Sequence, residues 1–247
     1  MKRFRSILLP LMLLMAVGVS ARDLTKTFEI SKPGSGLEIC CGINTTYVYD
    51  HAATKATVKV TAPEEIMPYI EVKSVKGTLT LSVKNDEFVH KFRRTHKATV
   101  TAVVTAPIIK NFEANSGSSL TCTARLVYPK GTTVEMESNS GADLKMAYVE
   151  CAKFEAETSS GADAKFGQIK ATNVSLEVNS GSDMTVSGIV ADTLKAEADS
   201  GASMTVQGTA RVAKLHADSG GSINAKQFTA TELKVSRDSG GSVKTAK

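Results

Sequence analysis

Seven short phrases of one form punctuate the second half of this 247-residue sequence: Asn115-Ser116-Gly117, Asn139-Ser140-Gly141, Ser159-Ser160-Gly161, Asn179-Ser180-Gly181, Asp199-Ser200-Gly201, Asp218-Ser219-Gly220 and Asp238-Ser239-Gly240. Their glycines stand 24, 20, 20, 20, 19 and 20 residues apart. A unit of that size cannot bury its own apolar face, so repetition at one period constrains the chain to a stack of similar coils.

Within each period the apolar residues alternate, which is the strand signal. Seven residues before the glycine stand Val134, Phe154, Val174, Leu194 and Leu233, and five before it Met136, Ala156, Leu176, Ala196, Leu215 and Val235. Three after it come Leu120, Leu144, Ala164, Met184, Met204, Ile223 and Val243, and five after it Met146, Phe166, Val186 and Val206. A further column holds Val149, Ile169, Ile189 and Phe228. Each coil is therefore expected to carry two clear strands and a third short one, and both two-sided and three-sided coils fit. The phrase between the strands suits a tight turn, since Asn or Asp folds back on the backbone and Gly accepts positive φ. Stacked turns would also align Asn115, Asn139 and Asn179 with Asp199, Asp218 and Asp238, where amide side chains can bond along the stack.

The implied fold class is all-β: a parallel β-helix, or β-solenoid, of about 20-residue coils behind a less regular β-rich half. Residues 1–21 read as an export signal. Lys2, Arg3 and Arg5 precede an apolar run from Ile7 to Val19, and Val19-Ser20-Ala21 supplies small residues for cleavage. That run is shorter than the roughly 20 residues a spanning helix needs, and no second one occurs, so no transmembrane span is expected in the mature chain. Residues 22–110 form the β-rich N-terminal region, either a cap or the first irregular coils, and 111–247 the regular solenoid. The N-terminal region holds strand-like runs at 37–39, 56–61, 70–72, 78–83 and 98–101, with a hairpin-like turn at Val75-Lys76-Gly77-Thr78. Two of its strands end in Thr-Ala-Pro, at Pro63 and Pro107. No long amphipathic helix is expected.

Three of the five net positive charges belong to the signal, which leaves the mature chain close to neutral and excludes a nucleic-acid binder on charge grounds. Glu137, Glu157, Glu177 and Glu197 fall four before the glycine, and Asp143, Asp163 and Asp183 two after it. Lys145 and Lys165 lie two beyond Asp143 and Asp163, so a solvated, partly paired face is expected. Calcium would need six to eight converging oxygens, and the 20-residue period differs from the nine-residue repeat of calcium-binding β-rolls. Cys40, Cys41, Cys122 and Cys151 lack metal spacing. They read as small apolar side chains; adjacent Cys40 and Cys41 are not expected to pair with each other, and a disulfide from one of them to Cys122 or Cys151 is the alternative. His51, His90, His96 and His216 share no ligand spacing. The cationic run His90-Lys91-Phe92-Arg93-Arg94-Thr95-His96-Lys97 reads as a solvated loop between strands, with contact to an anionic polymer or lipid head groups as the sharper reading.

Several words resemble those of the head GIN domain family, autotransporter-type adhesins common among Bacteroidetes. They are Phe28-Glu29-Ile30, Gly42-Ile43-Asn44, Gly77-Thr78-Leu79-Thr80-Leu81, a strand from Val103 to Pro107, and Phe112-Glu113-Ala114-Asn115-Ser116-Gly117-Ser118. The resemblance implies a β-solenoid in an exported protein of a Gram-negative bacterium, in the periplasm or at the cell surface or outer membrane, with a role in adhesion. It transfers no catalytic, cofactor-binding or metal-ligating residue. The expected function is a non-enzymatic surface or periplasmic scaffold without a cofactor, meeting a protein or cell-surface partner whose identity is not readable. A homo-oligomer is a further expectation, because strand ends need capping. Two alternatives stay open, a carbohydrate-active β-helix enzyme and a glycan-binding module. The first needs a cleft the near-uninterrupted repeat leaves little room for, and the second an aromatic platform that a chain without Trp is poor in.

Overall fold

The structure, a computed structural model, describes residues 23–246. The expected signal at 1–21 lies outside them. One continuous sheet of sixteen strands runs through the described residues. In chain order they are β1 (Asp23–Ile30), β2 (Gly36–Ile39), β3 (Ile43–Tyr49), β4 (Ala56–Pro63), β5 (Ile70–Val75) and β6 (Thr78–Val83). A helix, α1 (Glu87–His96), precedes β7 (Val100–Ala106), β8 (Asn111–Ala114), β9 (Ser119–Val127) and β10 (Thr133–Ser138). The regular coils are β11 (Asp143–Thr158), β12 (Asp163–Val178), β13 (Asp183–Ala198), β14 (Ser203–Ala217) and β15 (Ser222–Arg237), and the last strand is β16 (Ser242–Thr245).

Each of β11 to β15 makes a whole circuit from one turn to the next, and successive circuits pair with each other in parallel. The two strands and a short third expected from the sequence are thus one run with two corners. In β11, Ala147 and Ala152 fall out of register with β12, dividing the circuit into sides at 143–146, 148–151 and 153–158. The first corner of β12 is Gly167, where a side chain would collide with the Ala147 carbonyl oxygen. The inward columns are those read from the sequence: Leu144, Met146, Val149, Phe154 and Ala156 are buried, and so are their equivalents in β12 and β13. Phe154 and Phe166 meet edge to face, 5.3 Å between centroids. Each fully buried side chain of this size contributes about 1.5–3 kcal/mol, which sets the stack against the entropy of ordering it.

The Ser-Gly phrase forms a turn in which both central residues are left-handed. Ser160 has φ 57° and Gly161 φ 71°, and the amide of Ala162 returns to the Ser159 carbonyl at 3.3 Å. This is the type I′ geometry, with serine at the first of its two positive-φ positions. Stacking uses the backbone: the amides of Gly117, Gly141 and Gly161 donate to the carbonyls of Ser140, Ser160 and Ser180 in the following turn, at 3.0, 3.1 and 3.2 Å. The expected amide ladder is largely replaced by bonds within a coil. Asn179 donates to Glu177 at 2.9 Å and Asn115 to Glu113 at 2.5 Å, while Asp199 and Asp218 fold back to accept from the amides of Ser200 and Ser219. A side-chain bond between coils joins the Ser159 hydroxyl to Asn139 at 2.5 Å.

The N-terminal region supplies the first coil. β2 pairs with β8, setting Ile39 against Ala114, and β3 pairs with β9, setting Asn44 against Ser119. Cys40-Cys41-Gly42 is therefore the first turn of the stack, with Cys41 at φ 65° and Gly42 at φ 72°. Cys40 and Cys41 are joined to each other in a disulfide, contrary to expectation. Cys122 and Cys151 are free thiols.

Beyond that coil β6 and β7 still pair in parallel with β2 and β3, with α1 between them where a turn would stand, and only the strands outside them are antiparallel. β4 lies between β7 and β1, and β5 folds back on β6 through the expected turn at Lys76-Gly77. The cationic run is not a loop but most of α1. Asp86 caps the helix by accepting from the Phe88 amide at 2.8 Å, and left-handed Lys97 ends it. Val89 is buried, and Arg93 donates to the carbonyls of Cys41 and Gly42 at 2.8 and 2.7 Å. The helix thus closes the stack by satisfying carbonyls that no preceding coil can reach.

Candidate interaction face

On the third side of each circuit, alternate residues point outward and stack in register with their equivalents. Glu38, Glu113, Glu137, Glu157, Glu177 and Glu197 form one unbroken column through β2, β8, β10, β11, β12 and β13. The neighbouring column runs Glu135, Glu155, Ser175, Lys195, Lys214 and Lys234. Adjacent members are about 4.8 Å apart, so the early coils crowd carboxylates and the late coils carry ammonium groups. Two shallow hollows open on the acidic half, one lined by Glu38, Glu113, Glu135 and Glu137, the other by Glu135, Glu137, Glu155, Glu157 and Glu177.

Crowding shows in the electrostatics. The Glu137 carboxyl is pushed above the usual range, by partial burial first and then by the charges of Glu113, Glu157 and Glu135. Lys153 pairs with Glu155 and Lys195 with Glu197, both at 2.8 Å. Among the described residues, Glu113, Glu135, Glu137, Glu157 and Glu177 have no ion pair.

The other sides differ. Asp143, Asp163 and Asp183 stack on the first side with Lys145 and Lys165 in the column two residues on; among the described residues neither lysine makes an ion pair. On the second side Arg125, Tyr148, Glu150 and Lys170 form a compact network. Glu150 accepts from Lys170 at 2.9 Å, Tyr148 at 2.7 Å and Arg125 at 3.1 Å, and the Arg125 guanidinium lies 4.1 Å from the Tyr148 ring centre. Those bonds, the one from Lys170 foremost, hold the Glu150 carboxyl down at about 2. Arg93 of the cationic run is turned toward the first coil, while Lys91 and Arg94 are exposed. No group of three His, Cys, Asp or Glu among the described residues could hold a metal ion. No helix among them is long and apolar enough to cross a membrane.

Glu137, Glu157, Glu177 and Glu197 were legible from their spacing, and Glu113 obeys the same rule, four residues before Gly117. Glu38 stands four residues before Gly42. Only the recognition of Cys40-Cys41-Gly42 as a turn brings it into the column.

Two stretches, residues 42–167 and 165–246, match the model of one family, described as "Putative auto-transporter adhesin, head GIN domain". The chain belongs to the head GIN domain family. Its first match begins at Gly42, the glycine of the first turn. Solved structures share its solenoid fold. A protein from Parabacteroides merdae titled a putative adhesin superposes with a TM-score of 0.69 at 15% identity, over 95% of this chain and 100% of that one. A Bacteroides fragilis protein with the same description gives 0.69 at 19%, over 92% and 100%. One from Parabacteroides distasonis, titled a putative lipid binding protein, gives 0.61 at 12%, over 92% and 98%. At these identities the likeness is one of fold. No curated protein matches the sequence.

Proposed function

We propose that this head GIN domain protein is an exported, non-enzymatic adhesion or scaffolding protein that meets a cationic partner through the acidic half of its third side. The observation that carries this reading is the column from Glu38 to Glu197, in which, among the described residues, only Glu197 makes an ion pair. A flat parallel face is a rigid platform, and carboxylates held there in register keep the charge that a disordered acidic tail would spread over many conformations. Adhesion fits the family description, and export fits both that description and the signal-like N-terminus.

The test compares binding of the wild-type protein and of a variant carrying Glu113→Gln, Glu137→Gln, Glu157→Gln and Glu177→Gln to a lysine-rich peptide and to whole cells, across a salt series. Loss of both interactions in the variant, and steep weakening of the wild type with salt, is the expected result. Equal binding by the two proteins overturns the assignment of the face. Protease accessibility on intact cells separates the surface from the periplasm.

A further inference from the structure

We infer that the C-terminal end of the solenoid is a self-complementary edge on which a second copy of this chain docks, the third side of β15 pairing antiparallel with its own equivalent about Leu233. Everywhere else in the regular stack each circuit is succeeded by another. β16 covers only the first side of β15, at residues 222–225, and among the described residues no strand pairs with the outer edge of 229–237. The amide of Asp238 reaches back to Ala217 at 3.0 Å. By strand alternation the amides and carbonyls of Leu233 and Val235 therefore face away from β14, toward the open end.

The side chains on this edge match the backbone. Leu233 is 41% exposed, whereas Val134, Phe154, Val174 and Leu194 in the same column are at most 2% exposed. Val235, below it, is only half-buried. Residues 229–237 contain no proline, and no register shift interrupts 232–237, so the charges of Glu232, Lys234 and Arg237 are what guards this edge, and a docking strand must answer them. Glu232 and Lys234 flank Leu233 on the outward face. A two-fold axis through Leu233 and perpendicular to the sheet sets Leu233 opposite Leu233 of the second copy, and Glu232 opposite its Lys234, twice over. The pairing extends from 231 to 235, where Thr231 turns the corner. A contact this short, closed by symmetry, makes a weak end-to-end dimer with both third sides facing one way.

Sedimentation of the purified chain over a concentration series tests this. The expected result is a concentration-dependent dimer, weakened about tenfold by Lys234→Glu, which sets two carboxylates face to face at both symmetric positions. The double variant Glu232→Lys, Lys234→Glu restores the opposite pairs and returns the dimer, which a merely structural role of Lys234 would not do. Leu233→Cys should also give a disulfide-linked dimer on mild oxidation, because only residues on the axis meet their own copy. A chain that stays monomeric throughout, or a dimer indifferent to the Lys234 reversal, overturns the inference.

Discussion

The two ends of the stack solve one problem in different ways. At the N-terminal end the ladder turns antiparallel, and Ile66, Met67 and Val89 are buried over the inward columns. Arg93 satisfies the carbonyls of the first turn there. At the C-terminal end Arg237 reaches only the Val243 carbonyl, at 2.8 Å, and Leu233 and Val235 are left uncovered. The charge of the third side changes along the same axis, from Glu135 and Glu155 to Lys214 and Lys234. Repetition therefore dictates the middle of the molecule, while individuality collects at the ends and on the outward face.

The largest effect expected from this difference compares one column at two heights. Phe154→Ala empties a site of 0% exposure and should cost about 3–5 kcal/mol in urea unfolding. Leu233→Ala, in the same column but at the open end, should cost less than about 1 kcal/mol in the monomer. Similar losses at the two sites would mean that the C-terminal end is covered in solution. Arg93→Met comes next. It leaves the carbonyls of Cys41 and Gly42 without their donor, for a loss of about 1–3 kcal/mol, whereas Arg237→Met removes one such bond rather than two and should cost less. Turn glycines give a smaller contrast. Gly161→Ala meets open space and suffers only from its positive φ, about 1 kcal/mol, while an alanine at Gly42 would also strike the Arg93 guanidinium and should cost more.

The repeat made the coil length, the turn positions and nearly every inward residue readable, because stacking forces equivalent positions into equivalent environments. Leu233 is the exception, since its environment is set by the incomplete coil stacked on it rather than by its own phrase. The helix Glu87–His96 is hidden in the sequence because its apolar contribution is small, essentially Val89 and the partly buried Phe92, and because the role of Arg93 depends on a turn 51 residues away. The Cys40–Cys41 disulfide and Glu38 were obscured for one reason. Cys-Cys-Gly fills the place of Asn-Ser-Gly, and β4 to β7 come between that turn and the next, so the period is broken at its first step. The positive φ of the serines is not legible in the sequence because the adjacent glycine already accounts for the turn.

The smallest effect concerns charge and has a sign that pH reverses. The Glu137 carboxyl is raised in the folded protein, so the folded state binds its proton more tightly than the unfolded chain does. The stability linked to that proton is present below the unfolded value and is lost as pH rises through the folded one. Glu137→Gln should therefore raise the urea midpoint at pH 7 by the equivalent of a few tenths of a kcal/mol, about the size of one screened like-charge pair on an exposed sheet face. At pH values below the carboxylate range the gain should vanish. Glu150 should behave in the opposite way. Its carboxyl is held down at about 2, so its contribution is present above the unfolded value and lost as pH falls toward 2, and Glu150→Gln should lower the midpoint at pH 7. If both substitutions shift the midpoint in the same direction, the third side is not a column of repelling carboxylates, and the distinction between an acidic face poised for a cationic partner and a second side already neutralised by Lys170 and Arg125 disappears.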